Sequence, residues 1–118
     1  MQHLQLTTQE IDGHAVVRLK GELDIATVDY LRDDLRKARH SYGEHVVLDL
    51  TELDFMDSQG LSVIVACQKA ATAAGGSLAL VAPRPIVRRT LEITGLSARL
   101  QVFDTVEEAI APRQTAAP

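Results

Sequence analysis

The chain has 118 residues, 46 % of them apolar, with two Tyr, two Phe and no Trp, which suits one domain with an aliphatic core and excludes a disordered chain. Twelve basic residues against sixteen acidic ones leave a net charge of −4 and a pI near 5.5; this argues against direct nucleic-acid binding, which needs a concentrated basic face. The single cysteine, Cys67, rules out an intramolecular disulfide and fits a reducing compartment. No run reaches the ~18 apolar residues of a membrane span, and the polar, alternating Met1–Glu10 stretch lacks the marks of a signal peptide, so a cytoplasmic protein with no membrane partner is expected.

Leu4, Leu6 and Thr8 alternate with polar residues as in a half-exposed edge strand, and Asp12-Gly13 marks a tight turn. Ala15, Val16, Val17 and Leu19 form the return strand, so the chain opens with a β-hairpin that ends at Gly21-Glu22-Leu23-Asp24. From Thr27 the period changes: Val28, Leu31, Leu35 and Ala38 recur at helical spacing, with Asp29, Arg32, Asp33, Arg36 and Lys37 on the other face. Asp24 or Thr27 caps this helix, and Ser41-Tyr42-Gly43 leads out of it.

The stretch Val46 to Gly76 is the centre of the chain. Val46 to Leu50 reads as a short buried strand, followed by a polar connection that holds Glu52, Asp54 and Asp57 around Phe55. A helix then runs from Leu61 through Ala71 and stops at Gly75-Gly76. Asp57 or Ser58 is its N-cap, and either choice sets the Ser58 hydroxyl at the positive end of the helix, which favours an added anion such as phosphate. Gly60, one turn in, costs roughly 1 kcal/mol against alanine in a helix interior; its presence indicates a close approach to this backbone.

Leu78 to Val81 is a further buried strand, and Pro83 and Pro85 break it and start a helix with Ile86, Val87, Thr90, Leu91 and Ile93 on its apolar side. Arg84, Arg88 and Arg89 read as one solvated side of that helix, which Gly95 ends. Leu100, Val102 and Phe103 form a last strand, and Asp104 or Thr105 caps a helix over Val106 to Ala111. Residues 1–111 are expected to form one domain, with residues 112–118 a disordered tail. The order β-β-α-β-α-β-α-β-α implies an α/β fold whose sheet is mostly parallel after the N-terminal hairpin.

Nothing in the chain assembles a catalyst. His3, His14, His40 and His45 show no ligand spacing such as HxxxH, so no metal is expected, and no phosphate-cradling or nucleophile-elbow motif implies a cofactor or an enzyme. The acids Asp49, Asp54 and Asp57 raise the alternative of a receiver-type domain phosphorylated on aspartate. That reading also needs an acidic pair after the first strand and a lysine at a late strand end, whereas the lysines are Lys20, Lys37 and Lys69.

Val46-Val47-Leu48-Asp49-Leu50 followed by Phe55-Met56-Asp57-Ser58-Gln59-Gly60-Leu61 resembles the signature of bacterial anti-sigma-factor antagonists, the single-domain members of the STAS family. Gly21-Glu22-Leu23-Asp24, Ala73-Ala74-Gly75-Gly76 and Val87 to Leu96 fall in the same order, so the resemblance covers about Leu4 to Ile110. It implies a STAS-like fold and a non-enzymatic switch. The unphosphorylated protein would bind an anti-sigma factor that is also a serine kinase, releasing the sigma factor; phosphorylation of Ser58 would end binding and a serine phosphatase would restore it. It further implies a partner surface of Asp24, Asp54, Asp57, Gln59 and Gly60. Gln59 departs from the pattern, since many members carry a second serine or threonine there. Thr51, expected near the end of the central strand, and Ser62, a turn inside the helix, are not expected to accept phosphate. Some STAS domains instead belong to transport complexes, which is the remaining alternative.

Overall fold

A computed structural model describes residues 3–111; the tail expected over 112–118 lies outside the described residues. Strands β1 (Leu4–Ile11) and β2 (His14–Leu23) form the opening hairpin, joined by the turn in which both Asp12 and Gly13 have positive φ. Helix α1 (Val28–Tyr42), β3 (His45–Met56), α2 (Ser58–Ala73), β4 (Ser77–Val81), α3 (Pro85–Ile93), a single 3-10 turn at Leu96–Ala98, β5 (Gln101–Phe103) and α4 (Val106–Ile110) follow. The five strands lie side by side in chain order, antiparallel between β1 and β2 and parallel thereafter.

That order has a consequence for layering. Each parallel connection steps one strand in the same direction, and right-handed crossovers then place every connecting helix on one face. Val28, Leu31 and Leu35 of α1, Ile64 and Cys67 of α2, and Val87 and Leu91 of α3 accordingly share one core with Val17, Leu48, Leu50 and Leu80 of the sheet. Only α4, which follows the last strand, packs on the opposite face, where Val106 meets Val16, Val47, Ala79 and Val81. Alternation along the strands supplies both faces.

Several local expectations are corrected. The segment from Thr51 to Met56 is not a connection but the second half of β3, paired with β2 as far as Leu23↔Met56. Because β4 ends opposite Asp49, this half of β3 has a neighbour on one side only and tolerates polar residues, while Leu53 and Met56 still point into the core. Thr51 therefore lies mid-strand, and its hydroxyl donates to Asp49 Oδ1 at 2.5 Å. Neither Asp24 nor Thr27 caps α1 with its side chain: Thr27 stands at the cap position, but its buried hydroxyl donates to Glu22 O at 2.9 Å. In α3 only Val87 and Leu91 are buried; Ile86 and Ile93 face solvent, since nine residues present a single i, i+4 pair to the sheet. Arg84 leaves the expected solvated row by reaching across to β3. At α4 the alternative resolves to Thr105, whose side chain accepts from Glu108 N.

Candidate functional site

The parallel strands point their carboxyl ends at one rim of the sheet, where open α/β domains usually meet ligands and partners. At that rim β3 ends at Met56 and α2 begins at Ser58, leaving Asp57 as the single joining residue. Asp57 has extended backbone, and its Oδ1 accepts from Gln59 N at 2.9 Å and Gly60 N at 3.1 Å, a side-chain N-cap. Its other oxygen, Oδ2, accepts from Ile25 N at 3.1 Å, and its own N–H donates to Leu23 O at 3.0 Å. One residue thus ties the β2–α1 loop to the start of α2 by both side chain and backbone.

The loop is built by its own acid. Asp24 Oδ1 accepts from Ala26 N at 2.9 Å and Thr27 N at 3.2 Å, and Asp24 N donates to Thr27 Oγ1 at 3.0 Å. This local turn holds Ile25 at the tip with 73 % of its surface exposed, directly against the Asp57 carboxylate. Ser58 is the first residue of α2 and is exposed beside it. It borders a shallow groove of about 450 Å³ between α2 and the 3-10 turn, lined also by Leu61, Val65, Lys69 and Leu96.

The structure thus brings Asp24, Asp57 and Ser58 together and gives the other expected site residues different positions. Gln59 is exposed next to Ser58. Gly60 is buried, and a Cβ there would lie 2.6 Å from Leu23 Cγ and 3.1 Å from Met56 Cγ. The close approach anticipated at this glycine is made by the chain's own β2 end. Asp54 lies on β3, where its carboxylate pairs with Arg84 Nη1, while Arg84 Nε donates to Thr51 O at 2.8 Å. The acidity expected around Asp54 is therefore balanced. Ser62 is exposed rather than hidden inside the helix, and its hydroxyl donates to Ser58 O at 3.0 Å.

Two residues at this rim escaped the sequence reading. Ile25 carries a usable signal, an apolar residue straight after a turn-forming Asp; Arg84 carries none, since its partner is thirty positions away. Elsewhere, Cys67 is buried, and desolvation pushes its pKa up to about 11 against the lowering effect of Arg39, so the thiol stays protonated and unreactive. Among the described residues no group of three or more His, Cys, Asp or Glu could hold a metal, and no helix is long and apolar enough to cross a membrane.

A family model for the STAS domain matches residues 5–109. The chain belongs to the STAS family. Within it, the chain is 37 % identical to the anti-sigma F factor antagonist of Paenibacillus polymyxa over 109 residues, covering 92 % of this chain and 93 % of the relative. Among solved structures it resembles the anti-sigma factor antagonist SpoIIAA in its unphosphorylated form (TM-score 0.76, 30 % identity, 91 % of this chain and 92 % of that one). It also resembles the Bacillus cell fate determinant SpoIIAA in the phosphorylated form (TM-score 0.70, 29 % identity, 91 % and 96 %). Over nearly its whole length the chain is thus similar to STAS proteins named as anti-sigma-factor antagonists.

Proposed function

We infer that Ser58 is the phosphoacceptor through which this anti-sigma-factor antagonist is switched. The observation that carries the reading is the position of Ser58: exposed at the first residue of α2, immediately after the Asp57 cap. The likeness to SpoIIAA structures in unphosphorylated and phosphorylated forms supports a switch of this kind. Unphosphorylated, the domain binds an anti-sigma factor with serine kinase activity; phosphorylation of Ser58 ends that binding, and a serine phosphatase reverses it. Asp24, Asp57 and Gln59, with the Ile25 tip between them, form the surface that the partner meets, Gly60 lets the loop seat against the helix, and Asp54 borders it beside Arg84.

The geometry also supports a mode of action for the phosphate. The amides of Gln59 and Gly60 already serve the Asp57 carboxylate, so a phosphate of about −1.5 to −2 charges on Ser58 gains the helix dipole but not those two donors. It projects toward solvent next to a carboxylate, and a docking protein would have to desolvate both. Weakening a complex ~100-fold takes only about 2.7 kcal/mol, within reach of one uncompensated charge. The fold itself has no reason to rearrange.

The test is incubation with the kinase-type anti-sigma factor and ATP, followed by mapping of the phosphate. Label on Ser58, lost in Ser58→Ala, is expected; label persisting in Ser58→Ala at Thr51 or Ser62 overturns the assignment. Ser58→Asp should keep the wild-type fold and bind the anti-sigma factor poorly, while Ser58→Ala binds it constitutively. Amide shift changes on phosphorylation should stay within the β2–α1 loop and the first turn of α2. Changes spread through β1 and α4 would mean a conformational switch instead.

A further inference from the structure

A groove of about 500 Å³ lies between α1 and α2, away from the Asp57 cap. One wall is α1, where Arg32, Arg36 and Arg39 recur at intervals of four and three, the spacing that puts residues on one flank of a helix. The other wall is Ser62, Ala66 and Ala70 of α2, spaced at four, and the floor is the apolar Leu35, Val63 and Cys67. No acidic residue lines it, although the chain as a whole carries a charge of −4.

The arginines do have acidic neighbours, but two of these pairs are easily exchanged. Asp29 and Asp33 pair with Arg32 and Arg36 at i, i+3, with both members of each pair largely exposed; such surface pairs contribute little. Arg39 is held more firmly by Glu44, which accepts from its Nε at 2.6 Å and is mostly covered, so that end of the wall is fixed in place with its Nη groups left for a further acceptor, while the other two cations are free to exchange partners. Small residues opposite leave room for a backbone or helix to lie close.

We propose that this groove docks an acidic amphipathic helix of a partner protein, with carboxylates at three- and four-residue spacing facing the arginines and an apolar seam against Ser62, Ala66 and Ala70. The argument is charge complementarity and shape. The three arginines are strung along about 10 Å of helix, from a rise of 1.5 Å per residue, and do not converge on a point. A row of carboxylates on a helix matches that spacing, whereas a single compact anion would meet one or two of the three. Ser62 lines both this groove and the one that Ser58 borders. If Ser58 is the switch, a partner seated there continues into the arginine groove, and in that respect the proposal rests on the reading above.

The experiment titrates the full chain, isotope-labelled, with a synthetic 15-residue amphipathic helix bearing Glu at 3/4 spacing, its Glu-to-Gln counterpart, and inorganic tripolyphosphate. The expected result is amide shift changes along Arg32–Arg39 and Ser62–Ala70 with the acidic peptide only. Arg32→Gln/Arg36→Gln, both at exposed positions, should weaken that binding about tenfold, the loss expected for two exposed charge pairs. Lys37→Gln, which faces the other flank of α1 beside Tyr30, should leave it unchanged. Unmoved groove signals, equal binding by the Gln peptide, or an indifferent double variant overturns the proposal. Shifts produced by tripolyphosphate and not by the peptide would make it a small-anion site and also overturn it. Because Ser58 takes no part in this titration, the two readings fail separately: an unlabelled Ser58 leaves the groove result standing, and an inert groove leaves the phosphate map standing.

Discussion

At the amino ends of the parallel strands, the start of β4 runs so close to the residue before β3 that Gly76 faces Glu44 backbone directly: a Cβ would lie 2.0 Å from Glu44 O and 2.5 Å from Glu44 C. Ser77 N then donates to the same Glu44 O at 3.0 Å, and the His45 ring bonds Ser77 Oγ at 2.9 Å. At the carboxyl ends the crossing segments are joined instead by carboxylates, Asp24 within its loop and Asp57 between loop and helix. One rim is closed by backbone against backbone and has no slack. The other is held mainly by side-chain oxygens on backbone amides, beside the one backbone bond from Asp57 N to Leu23 O, and leaves Ile25, Ser58 and Gln59 facing outward. A surface whose order comes from a few polar bonds can present itself to a partner, and can be altered by one charge, without threatening the core.

The sharpest way to break this contrast is Gly76→Ala. Neither the Glu44 carbonyl nor β4 can move without losing the first rungs of the β3–β4 ladder, so a loss of about 3 kcal/mol or more is expected, read as a drop in the denaturant midpoint at unchanged m-value. A variant as stable as wild type would mean that the amino rim has slack after all. Gly60→Ala is the matched substitution at the carboxyl rim. Its new methyl meets Leu23 Cγ and Cδ2 at 2.6 and 2.8 Å, side-chain atoms that can shift, and alanine regains up to about 1 kcal/mol of helix propensity. A net loss of about 1–2 kcal/mol is expected, with amide shifts displaced at Leu23 to Ile25. Unchanged shifts there would show that Gly60 does not seat the loop.

The contrast also explains what the sequence could reveal. Helix α1 was legible because Val28, Leu31, Leu35 and Ala38 repeat with the helical period, and the hairpin because Asp12-Gly13 stands between two alternating runs. Ser58 was legible at the start of α2 because an Asp-Ser pair before a long apolar run is local chemistry. The second half of β3 was hidden: Thr51, Glu52, Asp54 and Phe55 are exposed, and only the pairing with β2 makes them a strand. The use of the Thr27 hydroxyl on Glu22 O and of Arg84 on Thr51 and Asp54 was likewise hidden, since each depends on where the tertiary fold brings a second segment.

Asp57 sharpens the comparison from the site side. Asp57→Ala removes the acceptor of three amides, Gln59, Gly60 and Ile25. Loss of a helix cap costs about 0.5–2 kcal/mol, so a modest destabilisation should accompany faster hydrogen exchange at Ile25 and Gly60. Asp57→Asn keeps one oxygen for the cap and should recover most of the stability, while its amide faces Ile25 N–H and leaves the loop loose. Partner binding should therefore weaken in both variants, although only one is clearly destabilised. Equal binding by Asp57→Asn and wild type would remove the carboxylate from the partner surface.

The smallest expected effect is at Arg84, and it tests whether the carboxyl rim is electrically balanced before phosphate arrives. The Arg84–Asp54 pair is about half exposed on both sides, 48 % and 58 %, so Arg84→Gln should cost no more than about 1 kcal/mol. Its electrical effect has a definite sign. A nearby cation favours the doubly charged form of a phosphate and lowers its second pKa, near 6 in the free group. Removing Arg84 also uncovers the Asp54 carboxylate, which acts in the same direction, so the pKa of phosphorylated Ser58 should rise in Arg84→Gln. Asp54 and Arg84 nearly cancel each other at any distant point, and exposed charges are screened within about 8–10 Å at ordinary salt. The rise should therefore stay below about half a unit by phosphorus NMR and fade as salt is added. A rise of a full unit that survives high salt would mean that Arg84 leaves Asp54 to bind the phosphate directly. The switch would then work by exchanging one ion pair for another, and the phosphate would not simply project from an otherwise unchanged surface.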